Sequence, residues 1–390
     1  TITNSNLIRR RWLDNDFYGA TYSLVYTPAA NFNFTLGGAY NEYNGGHFGE
    51  VTWAQYASNS QIRERYYNGK GFKTDFNIFG KAAYQFGKAN LFADLQYRRL
   101  DYTISGSDKY QATLNVNDKL NFFNPKLGIT YQLNEHSAFY TSFAVANKEP
   151  NRDDYVNAPA MTAPKSENLK NIEAGYRLGN QDLNLSLNGY AMYYKDQLVL
   201  TGKVNDVGEY IRQNVPDSYR LGLEFAGKWQ ISNRFSWGST AAISRNKIKN
   251  FSEYIDDYDN STQIRNDYTN TDIAFSPAFI GSSELSYKPL PKTEIALLSK
   301  YVSKQYLDNT SKNDRSINPF FVNDLRFGYN TSFKGVKNIG LTLLVNNVLG
   351  ELYETNGYTF SYVYGAVPTT ENYYYPQAKQ NFLLSLNLKF

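Results

Sequence analysis

The sequence predicts an all-β fold, a transmembrane antiparallel up-and-down β-barrel, on three observations: long segments with one uncharged parity, connections that alternate short and long, and an apolar palette dominated by aromatics. The first is plainest in QNFLLSLNLKF, Gln380 to Phe390, where Phe382, Leu384, Leu386, Leu388 and Phe390 share one parity while Ser385, Asn387 and Lys389 hold the other. A period of two is a strand with one apolar side. Leu91, Ala93, Leu95 and Tyr97 repeat it against Asp94, Gln96 and Arg98, and so do Leu183, Leu185, Leu187 and Ala191 against Asn184, Ser186 and Asn188. Tyr219, Leu221, Leu223, Phe225, Trp229 and Ile231 do the same, as do Ile339, Leu341, Leu343 and Val345. Segments of about ten such residues are long enough to cross a bilayer at a tilt.

Alternation alone also suits a soluble sandwich, so the connections decide. Short ones fall at Thr27 to Asn31, Phe86 to Asn90, Gln132 to His136, Leu178 to Asp182, Ile231 to Arg234, Lys288 to Thr293 and Ser332 to Asn338. Between them lie longer stretches, among them Asn44 to Gly71, Gly106 to Lys119, Glu149 to Lys165, Ser252 to Asn270 and Gly350 to Gln377. Short turns on one rim and long loops on the other are the transmembrane arrangement. About fifteen strands result, an odd number where single-chain barrels have even ones. The expectation is therefore that residues 1–390 are the later portion of a larger barrel. Tyr26, Tyr131, Trp229 and Tyr287 stand where an interfacial aromatic girdle belongs.

Composition narrows the chemistry. Tyr 35 and Phe 25 against Met 2 favour strands over helical cores. Cys 0 excludes disulfides, thiolate metal sites and a cysteine nucleophile, and His 2 leaves little for imidazole chemistry. A balance of 40 basic and 36 acidic residues does not indicate nucleic acid. His136 belongs to a short turn and His47 to a long outer loop, where a lone His is ordinarily a solvated residue. No enzyme and no bound cofactor are expected.

Several segments resemble one family. LTLLVNNVLGELYETNGY (Leu341 to Tyr358) with the terminal strand is similar to the final hairpin of TonB-dependent outer-membrane receptors. FYTSFAVANKEPNRDDY (Phe139 to Tyr155) resembles their strand-to-loop segment, ENLKNIEAGYR (Glu167 to Arg177) the strand that follows, and LIRRRWLDNDFYG (Leu7 to Gly19) the Bacteroidetes branch. The resemblance implies a twenty-two-stranded barrel with a plugged lumen. On it, this chain supplies the eighth to the last strand, and the signal, TonB box, plug and first strands lie outside it. It further implies location in the outer membrane of a Gram-negative bacterium, coupling to the TonB complex, and import of a scarce nutrient complex. A ferric siderophore is the first expectation. Cobalamin or haem, or a passive porin-like channel, are the alternatives, and a surface lipoprotein is a candidate further partner.

Ligand-binding candidates come from loops that mix cations with aromatics: Arg9, Arg10, Arg11 and Trp12; Arg63, Arg65, Tyr66, Tyr67 and Lys70; Lys148, Arg152 and Tyr155; and Tyr373, Tyr374 and Tyr375. Arginine offers a planar fork for carboxylate or catecholate oxygens, and Tyr and Trp offer flat faces with a polar edge. The same cations also suit lipopolysaccharide phosphates and outer-membrane lipid. Asp256, Asp257 and Asp259 form a candidate Ca²⁺ cluster, although their spacing is not that of an EF-hand.

Overall fold

The computed structural model describes residues 4–56, 59–109, 112–157, 163–205 and 208–390. These contain twenty strands and one short helix. In chain order the first are β1 (Leu7–Ala29), β2 (Phe32–Ala54), β3 (Arg65–Phe86), β4 (Ala89–Ser107), β5 (Thr113–Asn134) and β6 (Ser137–Lys148), followed by helix α1 (Arg152–Val156). Next come β7 (Glu167–Gly179), β8 (Leu183–Val204), β9 (Tyr210–Gln230), β10 (Phe235–Asp257) and β11 (Thr262–Asp272). Then follow β12 (Phe279–Tyr287), β13 (Thr293–Val302), β14 (Gln305–Tyr306), β15 (Ser316–Ile317) and β16 (Phe320–Phe333). The last are β17 (Val336–Asn346), β18 (Glu354–Tyr364), β19 (Val367–Pro376) and β20 (Asn381–Lys389). The chain divides into two compact units, Thr1–Gly128 with Ala144–Asn168, and Ile129–Phe143 with Leu169–Phe390.

In the first unit β1, β2, β3 and β4 pair antiparallel in sequence order. In the second, β8, β9, β10, β12, β13, β16, β17 and β20 do the same. β11 pairs with the outer end of β10, β14 with β15, and β18 with β19 and, over two residues in parallel, with β10. Setting these aside leaves fifteen wall strands, in agreement with the expected number. All seven short connections fall where the sequence put them. The longer stretches are more ordered than loops: β2 and β3 reach deep into 44–71, and 350–377 is largely the β18–β19 hairpin.

Alternation sorts the wall into two faces. On β9, Trp229 pairs with Trp237 and Leu183, and ten positions earlier Tyr219 pairs with Lys247 and Tyr193. At about 3.3 Å per residue and a tilt near 40°, those two rows stand about 25 Å apart, the height of a lipid-facing band. Leu187, Leu223 and Ile243 are exposed between them. On the other face of β4, Asp94, Gln96 and Arg98 lead up to the fully buried Leu100 and Ile104.

Above the wall the second unit has a packed outer layer. Val199, Val215, Ile248, Phe251 and Ile273 form its apolar core, while Leu307, Asn309 and Ile317 of the 303–319 segment are also buried. Asn309 donates to the Leu200 carbonyl at 2.6 Å and accepts from the Ala274 amide at 2.8 Å. Arg315, 4% exposed, donates to Glu253 and to Asp308, the latter at 2.8 Å, and Tyr268 donates to Glu253 at 2.9 Å. Burial pushes the Glu253 carboxyl up, but the hydrogen bond and charge of Arg315 outweigh it and hold the group low. A cation shared by two buried acids is costly to remove, because both carboxylates then lose their counter-charge. Arg315→Met is expected to destabilise this layer by about 3 kcal/mol or more. Limited proteolysis should then cut 303–319 far faster; unchanged cleavage would show that apolar packing alone holds the segment.

Asp259 ties two hairpins together. Its carboxylate accepts from the Gly365 amide at 2.9 Å and the Ala366 amide at 2.7 Å. Both turn residues are left-handed, at φ 61° and 62°, the backbone of a two-residue type I′ turn. Gly365 adopts that φ freely, whereas Ala366 is strained by roughly 1 kcal/mol. Ala366→Gly should accordingly slow amide exchange in β18 and β19. Faster exchange would mean that the unfolded chain's added freedom dominates.

Candidate functional site

In the first unit the polar face of the wall carries a chain of ion pairs. Asp75 on β3 faces Leu100 on β4, and Arg98 faces Asn77, so the Asp75 and Arg98 side chains emerge on one side. Arg98 bonds Asp75 at 2.6 Å and Glu149 at 3.0 Å, and Lys73 reaches Glu149 at 2.6 Å. Glu149 ends the segment after β6, and the buried Pro150 follows it. Burial alone would raise the Glu149 carboxyl; the Lys73 hydrogen bond, with the charges of Lys73 and Arg98, brings it down to about 2. This anchor fixes the base of α1. An Asn151 capping box with Asp154 then fixes its first turn.

α1 presents Arg152 and Tyr155. The Arg152 Nε is buried without a hydrogen-bond partner, and the guanidinium lies in electrostatic range of His47 and Tyr67. Gly69 makes room for it, since a Cβ there would stand 3.1 Å from Arg152 Nη2. Tyr43 Oη lies 3.4 Å from His47 Nε2 and donates to Asn15 at 2.8 Å. Burial, followed by the Arg152 charge, pushes the His47 imidazole down to about 4, so it is neutral at pH 7. Tyr155 is already engaged: its hydroxyl donates to Asp118, and its ring meets Tyr102 edge-on at 5.9 Å. A half-buried guanidinium beside tyrosines and a neutral imidazole suits an anion with aromatic character.

The structure divides the remaining candidates. Arg11 pairs with Gly49, which pairs with Tyr67, so Arg11 shares the polar face. Arg10 and Trp12 pair with Glu50 and Phe48 on the opposite face. There Trp12 Nε1 and Arg10 both donate to Glu50, at 3.0 and 3.1 Å, Trp12 stacks on Phe48 at 6.0 Å, and the Arg65 guanidinium covers that ring at 3.6 Å. Tyr66 is skipped at the register shift between Gly49 and Glu50 and lies under Arg9 at 5.4 Å. Arg63 is an exposed left-handed turn residue at φ 64°. Lys148 pairs with Glu167 at 3.8 Å. His47, expected in a solvated loop, is a half-buried β2 residue opposite Leu13 and Gly69. Glu149, Lys73, Tyr43 and Tyr102 carry the site without having been singled out; the shared parity of β3 and β4 was the available signal.

In the second unit Tyr373 stacks on Tyr358 at 4.8 Å and donates to Glu371, and Tyr374 donates to the Ser316 carbonyl at 3.1 Å. These rings build the hairpin and its seat. The acidic cluster corrects an expectation: Asp256, Asp257 and Asp259 do not converge. Asp256 accepts from Gln263, Asp257 caps the turn at Asn260, and Asp259 holds residues 365 and 366. Among the described residues no group of three His, Cys, Asp or Glu side chains could hold a metal. The polar face of this unit lines a cavity of about 1170 Å³, bordered by Arg177, Lys228, Ser239, Lys300 and Arg326. Arg326 bridges Glu284 at 2.5 Å and Glu294 at 3.2 Å there.

The Glu149 anchor has a pH signature. Its folded pKa, about 2, lies below the ordinary 4.5, so its stabilisation is complete above about pH 4.5 and is lost as pH falls toward 2. Glu149→Gln should lower stability at neutral pH and flatten the acid limb of thermal unfolding. An unaltered acid limb would remove Glu149 as the anchor.

Residues 2–348 match the protein family described as TonB dependent receptor-like, beta-barrel. No curated protein matches the chain. Among solved structures, the siderophore receptor PiuA from Acinetobacter baumannii is 16% identical, with TM-score 0.70 over 97% of this chain and 56% of that one. The copper transporter OprC is 14% identical, with TM-score 0.76 over 98% and 57%. The ferric citrate transporter FecA in its unliganded form is 16% identical, with TM-score 0.69 over 98% and 55%. The chain thus spans a little over half the length of the solved structures it matches. At these identities the likeness is one of fold, and the family match, covering most of the chain, carries the assignment: this chain belongs to the TonB-dependent receptor β-barrel family of the Gram-negative outer membrane.

Proposed function

We propose that the protein imports a scarce, anionic, partly aromatic metal chelate, most simply a ferric siderophore, by TonB-dependent active transport. The observation that carries this reading is Arg152, a half-buried guanidinium beside His47 and Tyr67, on the helix that the Glu149 anchor holds. Arg11 and Tyr67 are its proposed companions on the ligand. Siderophore and ferric citrate proteins among the structural relatives support the substrate class. We read residues 1–390 as the later part of the barrel, with plug and TonB-contacting segment supplied by a longer protein; coverage of just over half of those relatives supports this. Arg10, Trp12 and Arg65 belong on this reading to the outward surface, where they meet lipopolysaccharide.

Arg152→Ala should weaken binding of a ferric catecholate or hydroxycarboxylate by about tenfold or more, the loss of one charge-assisted contact. Tyrosine and tryptophan fluorescence of the full-length protein during titration reads it. Because His47 stays neutral above about pH 4, it should add no pH dependence to that affinity between pH 5 and 8. Equal affinity in wild type and variant would reject Arg152 as a ligand contact. Saturable binding of cobalamin in place of every ferric chelate would reject the substrate class.

A further inference from the structure

The lipid-facing side of the second unit is not uniformly convex. A groove of about 580 Å³ runs across β7 to β10, within the roughly 300–1,000 Å³ range of small-molecule sites. Its floor is low because Ala174, Gly189 and Ala191 stand where neighbouring rows carry large side chains. Register aligns it: Ile243 faces Leu223, which faces Gly189, and one row further out Arg245 faces Leu221, which faces Ala191. Leu223 and Ile243 are 58% and 61% exposed and form its rims. Any lipid-facing wall is wetted by acyl chains; a depression floored by Ala174, Gly189 and Ala191 gives one chain a fixed seat.

Arg245 supplies the second feature. It is exposed on this face, one row inside the outer aromatic row of Tyr193 and Tyr219, which puts it at the boundary between acyl chains and headgroups. Among the described residues no carboxylate bonds it, whereas Lys247, the next residue out on the same face, is taken by Asp272 at 2.8 Å. An arginine on the lipid face is unfavourable unless its charge is met near the interface. A phosphate at headgroup depth meets it with a bidentate pair.

We propose that this groove is a binding site for a phosphorylated acyl lipid of the outer leaflet, with one chain lying over Gly189 and the phosphate held by Arg245. The site rests on the wall's membrane placement and is independent of which ligand is imported. Two variants separate its halves. Arg245→Gln removes the phosphate contact. Gly189→Val fills the groove: a Cβ there meets only the flexible Leu223 Cδ2 at 3.3 Å and the Ala174 carbonyl at 3.7 Å, and valine suits a strand.

The full-length protein should be reconstituted with diphosphoryl lipid A or its phosphate-free form, and retained lipid counted by native mass spectrometry. Wild type should keep the diphosphoryl lipid, each variant should lose about tenfold in occupancy, and the phosphate-free lipid should bind wild type no better than Arg245→Gln binds the phosphorylated one. Lys249→Gln, beyond the groove, should behave as wild type, and heat-modifiable gel mobility should confirm that every variant is folded. Equal occupancy in wild type and both variants, or equal retention of the two lipids, would overturn the site.

Discussion

The constraint on which everything else depends is that a chain crossing hydrocarbon must pair every backbone N–H and C=O within its own wall. Helices and closed β walls are the structures that meet it. This chain meets it with strands, and a β wall has two faces fixed by parity. Each residue's environment follows from whether its number is odd or even on its strand. Arg11 and Arg10 are neighbours in sequence and lie on opposite sides of a membrane protein's wall, one with Tyr67 and one with Glu50.

That parity is why most of the fold was legible in the sequence. Seven short turns fix the strand directions, and the apolar parity of segments such as Leu183 to Ala191 fixes their outward face. What was illegible depends on contacts across the sheet rather than along it. Lys73 and Glu149 are 76 positions apart, and Asp259 and Gly365 are 106 apart. No period connects such pairs. The Arg9 to Trp12 cluster was misleading for the opposite reason, because adjacency in a strand means separation in space. His47 looked like a loop residue because β2 and β3 continue beyond the bilayer, where GGHFGE is rich in glycine and strand alternation is hard to see.

The long connections illustrate how a barrel builds on its rim. Once outside the hydrocarbon, the chain is free of the two-face rule, and the second unit uses that freedom to fold 303–319 and the β18–β19 hairpin into a layer with its own apolar core. Val215 and Ile248 are strand residues whose exposure falls nearly to zero there. Asp256, Asp257 and Asp259 follow the same logic. Three acids close in sequence invite a cation, but each is spent on a different amide or side chain, and Asp259 joins two hairpins.

The arginines show how charge is managed across both environments. Arg98 is held by Asp75 and Glu149, Arg315 by Glu253 and Asp308, and Arg326 by Glu284 and Glu294. In each case one guanidinium bridges two carboxylates, and beside Arg98 a second cation, Lys73, shares Glu149. Arg152 keeps a buried Nε without a hydrogen bond, as Arg315 does, and among the described residues no carboxylate bonds Arg245. Desolvating an arginine without an anion nearby is unfavourable. On the readings proposed above, a solute supplies that anion to Arg152 and a lipid headgroup supplies it to Arg245, so the face on which an arginine lies selects the chemistry of its ligand.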